Sequence, residues 1–161
     1  MNRYNKKIGI FADVQNIYYT TREVYNKAFD YRKFWKLANK KGDIVSAIAY
    51  AIERGDRKQQ KFQEALRHIG FTVKLKPFIQ RRDGTTKGDW DVGITIDMLE
   101  MAPRLDVAIL LSGDGDFELL LVKLGSDYHC RTEVYSVREL TANALVSAAD
   151  VHTNIDWDLL L

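Results

Sequence analysis

The stretch LLSGDGDF (residues 110–117) carries two aspartates, Asp114 and Asp116, directly after a run of aliphatic residues. The aliphatic run is typical of a buried strand, so both carboxylates are expected at the end of that strand. A carboxylate pair in such a place either caps the helix that follows or holds a metal ion. These residues alone leave both interpretations open, and the other acidic residues have to separate them.

Further carboxylates are predicted at strand or helix ends. Asp13 ends the apolar segment KIGIFAD, and the segment KGDWDVGITID places Asp89, Asp91 and Asp97 around the start of a helix. Mg²⁺ and Mn²⁺ prefer oxygen ligands and retain several waters, so a few converging carboxylates suffice to bind one. Elements far apart in sequence therefore supply the acids that such a site needs.

Each acid taken alone also has an ordinary structural role. Asp116 is placed to cap a helix that begins at Phe117, and Asp91 lies in a predicted first helical turn, where the helix dipole favours negative charge. Asp97 follows Asp91 by six residues and so lies on a different face of an ideal helix. Taken together at the ends of several elements, the acids favour a metal site.

Apolar periodicity alternates between strands and helices along the chain. The alternation is typical of an α/β fold in which helices cover both faces of a mostly parallel sheet, with a last helix predicted over residues 139–150. Ligands of such sheets bind beyond the carboxyl ends of the strands. Asp13 and Asp114 therefore face one crevice if the first and fourth strands are neighbours. The predicted strands are residues 7–13, 44–52, 71–79, 106–112 and 131–137.

The composition of the 161 residues fits one globular domain spanning residues 1–161. Hydrophobic residues make up 46% and charged residues 29%, which is typical of a soluble protein, and the net charge is only +2. The single cysteine, Cys130, excludes an intramolecular disulfide framework and a cysteine-based zinc site. The chain has no apolar run of membrane-spanning length and no signal-peptide pattern. We therefore expect a cytoplasmic location and no membrane partner.

Basic residues concentrate in two segments, residues 54–61 and 74–87. Runs of charge are most often solvated faces, but these segments can also line a track for phosphates. The candidates for that track are Arg54, Arg57, Lys58, Arg81 and Arg82.

A lysine and two tyrosines near the acids in the sequence are further candidates for substrate contact. Lys87 precedes the middle acids and either contacts the scissile phosphate or is a solvated loop lysine. Tyr18 and Tyr19 follow Asn16 on the predicted first helix. We expect one tyrosine to pack in the core and the other, taken as Tyr19, to stack on a base.

Four segments, IFADVQNIY, KGDWDVGITIDML, ILLSGDGDF and the late AAD, resemble the NYN domain family, part of the PIN-like nuclease fold. The resemblance covers nearly the whole chain. It implies a three-layer, Rossmann-like sandwich around a five-stranded sheet ordered 3-2-1-4-5. It also implies a metal-dependent nuclease site, with Mg²⁺ or Mn²⁺ as cofactor and RNA as the main substrate.

Carried over by motif, the resemblance implies four metal-ligating and catalytic acids: Asp13, Asp91, Asp114 and Asp116. Asn16 would bind substrate or orient Asp13, and Ser112 would help to shape the turn that the substrate approaches. Because Asp89 lies beside Asp91, the choice of ligand from this segment stays open, with Asp91 preferred. Participation of Asp97, and the choice between one ion and two, also stay open.

Two other classes of function are compatible with parts of the pattern. A catalytically silent RNA- or protein-binding module can use the same crevice. A phosphoacceptor signalling domain needs an acidic pair after the first strand and a lysine after the last, whereas FAD supplies one acid and VYSVRE an arginine. The apolar tail WDLLL either pairs with a second copy in a homodimer or folds back on its own chain. The leading prediction is a cytoplasmic metal-dependent endoribonuclease.

Overall fold

The structure is a computed structural model that describes residues 5–80, 82–83 and 86–161. Its strands are β1 (Lys7–Asp13), β2 (Asp43–Glu53), β3 (Thr72–Pro77), β4 (Ile79–Gln80), β5 (Thr86–Lys87), β6 (Val107–Leu111), β7 (Arg131–Ser136) and β8 (Val151–Asn154). Six of them form one parallel sheet in the order β3-β2-β1-β6-β7-β8. The short strands β4 and β5 pair with each other, antiparallel, in a separate hairpin.

Helices connect the strands of the main sheet. Within the described residues they are α1 (Val14–Tyr25), α2 (Tyr31–Lys41), α3 (Arg57–Ile69), α4 (Asp91–Met101), α5 (Glu118–Tyr128) and α6 (Asn143–Ala148). None of these helices combines the length and the apolar character needed to cross a membrane.

The sheet separates two hydrophobic cores. From β1, Ile8 and Ile10 pack into a core with α1, α2 and α3, whereas Phe11 packs into a second core with α4, α5 and α6. Successive side chains of a strand point to opposite faces, so a strand buried on both sides reads as a continuous apolar run. The predicted three-layer α/β sandwich is confirmed.

The sheet has one strand more than predicted. The five predicted strands are present in the predicted order, and β8 lies beyond the fifth of them, β7. The helix predicted over residues 139–150 is wrong in extent, because α6 ends at Ala148 and the chain then enters β8. Within the described residues β8 pairs only with β7, and its own residues are partly or fully exposed. It therefore lacks the apolar run by which a buried strand is recognised in a sequence.

Aspartates start the three helices of the first core. The carboxylates of Asp13, Asp30 and Asp56 each accept a hydrogen bond from the backbone N–H three residues later, which satisfies one free donor of each helix. Gly70 directly follows the last residue of α3, Ile69, and its φ of +135° favours glycine.

The apolar tail folds back on its own chain. The backbone N–H of Leu161 donates to the carbonyl of Ala28 at 2.8 Å, and Leu159 and Leu160 are buried in the first core. Trp157 packs edge-on against Tyr25 with the ring centroids 5.1 Å apart. Of the two alternatives for this segment, the structure supports the intramolecular one.

Candidate metal centre

The carboxyl ends of the two central strands bring the predicted acids together. β1 and β6 are neighbours, and their last paired residues are Ala12 and Leu111. Asp13 directly follows Ala12, while the loop that carries Asp114 and Asp116 begins directly after Leu111. The condition that the first and fourth predicted strands are neighbours is confirmed.

Three carboxylates form the centre of the site. Asp91, at the first position of α4, meets Asp114 and Asp116 from the loop after β6, and one oxygen of each lies within 4.8 Å of the others. Protein oxygens bind Mg²⁺ and Ca²⁺ at about 2.0–2.6 Å, so one ion between these three oxygens can contact all of them. We call Asp91, Asp114 and Asp116 the acidic triad; it can hold a metal ion.

A buried hydrogen-bond chain ties Asp13 to the triad. The hydroxyl of Ser112 donates to Asp13 Oδ2 at 3.0 Å and accepts the backbone N–H of Asp114 at 3.2 Å. On the other side, Oδ1 of Asn16 accepts the N–H of Gly113 at 3.0 Å. The end of β1 and the start of α1 thus fix the loop that carries two of the three acids.

The capping residue of the loop is Asp114, so the alternative in which Asp116 serves as the helix cap is wrong. Oδ1 of Asp114 accepts the N–H of Asp116 at 2.9 Å and so starts a short 3₁₀ turn, Gly115–Phe117. Helix α5 begins one residue later than predicted, at Glu118, without a side-chain cap. Within the described residues, no donor reaches the carboxylate of Asp116, which leaves it available to a cation.

Burial and mutual repulsion raise the pKa values of two of these acids. Burial raises the pKa of Asp91 to about 8, helped by a hydrogen bond to Asp114 and by the negative charge of that neighbour. Burial also raises the pKa of Asp13 to about 6, although the Ser112 hydroxyl opposes the shift. Among the residues that the structure describes, no lysine or arginine forms an ion pair with Asp13 or the triad. Within the described part of the chain these carboxylates thus have no basic partner, and a divalent cation would supply one.

The two remaining acids of the middle segment have other partners. Asp89 Oδ1 accepts the N–H of Asp91 at 3.1 Å, and Asp89 is not in the triad. Asp97 accepts hydrogen bonds from Lys74 Nζ at 2.7 Å and from the Tyr50 hydroxyl at 2.8 Å. The preference for Asp91 over Asp89 agrees with this geometry, and Asp97 lies in an ion pair outside the triad.

The residues predicted to contact substrate differ in their exposure to solvent. Asn16 is partly buried beside the loop, and Ser112 is fully buried, so its hydroxyl acts only through Asp13 and Asp114. Tyr18 and Tyr19 are about equally exposed, at 48% and 50%, so the expectation that one packs in the core is wrong.

The basic candidates of the hairpin are only partly described. Arg82 is exposed. Arg81 and the side chain of Lys87 lie outside the described residues, so their predicted roles stay predictions.

Close packing, and not an unusual φ, explains the glycines of the SGDGD loop. Neither glycine has a positive φ. A Cβ at Gly115 would lie 2.8 Å from the Cβ of Ala142, and a Cβ at Gly113 would lie 3.0 Å from the Thr141 hydroxyl. The segment before α6 therefore presses on the loop that holds the acids.

Gly115→Ala is expected to destabilise the protein by about 1–3 kcal/mol, because neither methyl group can move without shifting the backbone. Urea unfolding in chelator measures the effect. Gly125→Ala in α5 is the matched control, since its Cβ would meet nothing closer than 4.0 Å. Alanine there should be neutral or stabilising by up to about 1 kcal/mol. Equal stability of the two variants would contradict the packing explanation.

Sequence reasoning missed an aromatic residue between two of the acids. The indole N–H of Trp90 donates to the carbonyl of Ala51 at 2.9 Å, and the ring lies 5.3 Å from that of Tyr50. A Cβ at Gly93 would lie 2.6 Å from the indole, so glycine leaves room for the ring. The Lys76 ammonium lies 4.4 Å from the indole centroid. The sequence signal was a tryptophan inside an acidic segment, KGDWD.

The sequence profile of the NYN domain matches residues 7–156 of the chain. The chain belongs to the NYN domain family. The matched range contains all six strands of the main sheet and the acidic triad. NYN domains are generally nuclease-like proteins that act on nucleic acids, and the resemblance noted from the sequence is confirmed.

Two relatives define what this NYN domain is similar to. The low amplitude and bright protein LabA of Synechococcus elongatus is 28% identical over 158 residues, which cover 93% of this chain and 84% of LabA. A crystal structure of a protein of unknown function from Vibrio parahaemolyticus shares 51% identity at a TM-score of 0.94, covering 100% of this chain and 99% of that one. The six-stranded NYN fold described above is therefore closely matched in a solved structure.

Proposed function

We propose that this NYN domain is a metal-dependent endoribonuclease that uses Mg²⁺ or Mn²⁺. The observation that carries the proposal is the acidic triad, whose oxygens converge within 4.8 Å at the carboxyl edge of the central strands. Among the described residues no lysine or arginine forms an ion pair with the triad, which supports the proposal because converging carboxylates without a cation repel one another. An all-oxygen donor set fits a hard divalent ion.

In this proposal some side chains bind the metal ion and others position the loop that carries the ligands. Asp91, Asp114 and Asp116 hold the ion, and Asp13 adds a fourth negative charge from the buried side. Ser112 and Asn16 keep the loop against β1 through their hydrogen bonds. The resulting geometry is fixed from two strands and one helix, which is what a site on a rigid scaffold requires.

A bound divalent ion would supply a water of lowered pKa for attack on the phosphodiester and would neutralise charge on the leaving oxygen. The protein has to provide carboxylates in their ionised form for such an ion. Without one, the raised pKa of Asp91 favours retention of a proton between Asp91 and Asp114. Loading the site therefore displaces that proton.

The decisive experiment incubates purified protein with a mixture of labelled RNAs, with Mn²⁺ and with chelator. We expect fragments only with the metal. A preparation of Asp116→Asn made in parallel controls for contaminating nuclease. Equal cleavage by both preparations would contradict the proposal, and metal binding without any cleavage would favour a silent RNA- or protein-binding module.

Metal binding is expected to stabilise the fold independently of catalysis. An ion present at a hundredfold excess over its Kd adds about 2.7 kcal/mol to the free energy of unfolding. For a chain of this size that raises Tm by roughly 5–10 °C. Thermal unfolding with Mn²⁺ against chelator measures the shift, and Asp114→Asn should reduce it. The same rise in both proteins would remove Asp114 from the site.

A further inference from the structure

Exposed aromatic and basic side chains adjoin one another beside the acids, at the carboxyl ends of β2 and β3. Arg54 directly follows β2, and its guanidinium donates to the Tyr19 hydroxyl at 3.2 Å. The same guanidinium lies 5.2 Å from the ring centroid of Phe78, which directly follows β3. Tyr19 is 50% exposed and Phe78 is 43% exposed. We call Tyr19, Arg54 and Phe78 the aromatic clamp.

A second cation and ring lie between this edge of the sheet and the triad. Lys76, on β3, places its ammonium over the indole of Trp90 and donates to the carbonyl of Asp89 at 3.0 Å. Trp90 directly precedes Asp91 of the triad. Tyr19 in turn lies one helical turn after Asn16, which contacts the triad loop through Gly113. The clamp is thus connected to the acids from two directions.

Stabilisation of the fold does not explain why these cations and exposed rings lie together. In the part of the chain that the structure describes, neither Arg54 nor Lys76 forms an ion pair, so both keep their charge for another partner. The ring of Phe78 remains substantially in water, where an apolar side chain contributes little to folding. Exposed rings held next to unpaired cations, beside an acidic centre, suit a ligand that alternates flat faces with negative charges.

We propose that the aromatic clamp, with Lys76 and Trp90, binds an unpaired stretch of RNA and leads it to the acidic triad. The exposed rings of Tyr19 and Phe78 stack on bases. Arg54 and Lys76 contact phosphates, and Trp90 holds Lys76 in place. Stacking of this kind needs base faces that a double helix hides, so the clamp selects single strands over duplexes. Delivery for cleavage rests on the proposed nuclease function, whereas the binding preference does not.

The test measures binding in chelator, where no metal-dependent cleavage takes place. Fluorescence anisotropy compares a labelled RNA of mixed sequence, free of self-pairing, with the blunt duplex of the same sequence. The test variant is Arg54→Ala with Phe78→Ala. The matched control is Arg104→Ala with Trp157→Ala, which also removes one exposed arginine and one exposed ring. Arg104 lies at the opposite end of the sheet, before β6, and Trp157 lies at the far end of α1.

We expect the wild type to prefer the single strand and the Arg54/Phe78 variant to bind it at least about tenfold more weakly. Loss of one phosphate contact should also flatten the salt dependence, by about 0.7 in the slope of log K against log salt. The Arg104/Trp157 control should bind as the wild type does. Tyr19→Phe, which keeps the ring, should retain more affinity than Tyr19→Ala.

Equal affinity of the Arg54/Phe78 variant and the wild type would overturn the proposal. So would equal affinity of the wild type for duplex and single strand, or no binding of RNA at all. A cleavage assay with Mn²⁺ is scored separately. Single-strand binding that depends on the clamp, without cleavage, would refute the nuclease function and leave the clamp in place. Cleavage of RNA by the Arg54/Phe78 variant with the KM of the wild type would refute the clamp and leave the nuclease function in place.

Discussion

Asp116→Asn is expected to lower metal-dependent RNA cleavage by at least about 100-fold without unfolding the protein. The Asp116 carboxylate is exposed and, in the described part of the chain, accepts no hydrogen bond, so the substitution disturbs no internal contact. Asparagine has nearly the same size but lacks the charge that holds a cation. Initial rates on a labelled single-stranded RNA, at saturating Mn²⁺, measure the effect. RNA binding in chelator should be unchanged or slightly stronger.

The neighbouring acid provides the control, because Asp114 combines a cap with its place in the triad. Asp114→Asn keeps the oxygen that accepts the N–H of Asp116, so we expect lost cleavage with nearly normal stability. Asp114→Ala removes the cap as well and should cost a further ~1 kcal/mol of stability. Wild-type cleavage by Asp116→Asn would show that Asp116 holds no catalytic ion. A large loss of stability in Asp114→Asn would reveal a structural role beyond the cap.

The framework of the fold was predictable because the four central strands of its main sheet are largely buried on both faces. Such strands leave a continuous apolar run, as in residues 107–111. β3, at one edge of the sheet, is only partly buried but was recognised as well. β8 was missed because an edge strand of four residues needs little apolar character. Its place beside β7 depends on tertiary pairing, which no local pattern records.

The membership of the acidic site was predictable, but its internal division of roles was not. The resemblance and the strand-end positions pointed to Asp13, Asp91, Asp114 and Asp116, and three of them form the triad. Which residue caps the turn after β6 was left open, because two aspartates two residues apart present the same local pattern. Only the backbone direction after Ser112 decides that Asp114 accepts the N–H of Asp116 and not the reverse.

Only two of the three clamp residues could be predicted from the sequence. Arg54 and Tyr19 were candidates on chemical grounds, but Phe78 resembles any apolar residue in an alternating segment. Its exposure follows from the end of β3 at Pro77, after which the chain leaves the sheet. Burial of a single residue at the end of a strand depends on what packs there, and periodicity does not carry that information.

The acidic site is expected to make the metal-free protein less stable as the pH rises. The folded-state pKa values of Asp13 and Asp91, about 6 and about 8, lie above the ~3.9 of an unfolded aspartate. Protonation therefore favours the folded state, and its contribution is complete below pH ~4 and is lost as the pH passes each folded pKa. In chelator, the free energy of unfolding should thus fall between pH 5 and pH 8.

Asp13→Asn isolates the contribution of the deeper carboxyl, which is only 8% exposed. Because its pKa is raised by about two units, ionised Asp13 lowers the free energy of unfolding by at most ~3 kcal/mol at pH 8. The variant avoids this cost, but the gain is smaller if its hydrogen bond with Ser112 is weaker than that of the carboxylate. In chelator, we expect the free energy of unfolding of this variant to rise relative to that of the wild type from pH 5 to pH 8, as measured by urea unfolding. A similar loss of stability at both pH values would instead make Asp13 a structural hydrogen-bond acceptor. Mn²⁺ should reverse the order at pH 8, because the cation stabilises the ionised wild type more than the variant. A site that is costly to fold when empty and stable when loaded is what an acidic centre built to hold a cation requires.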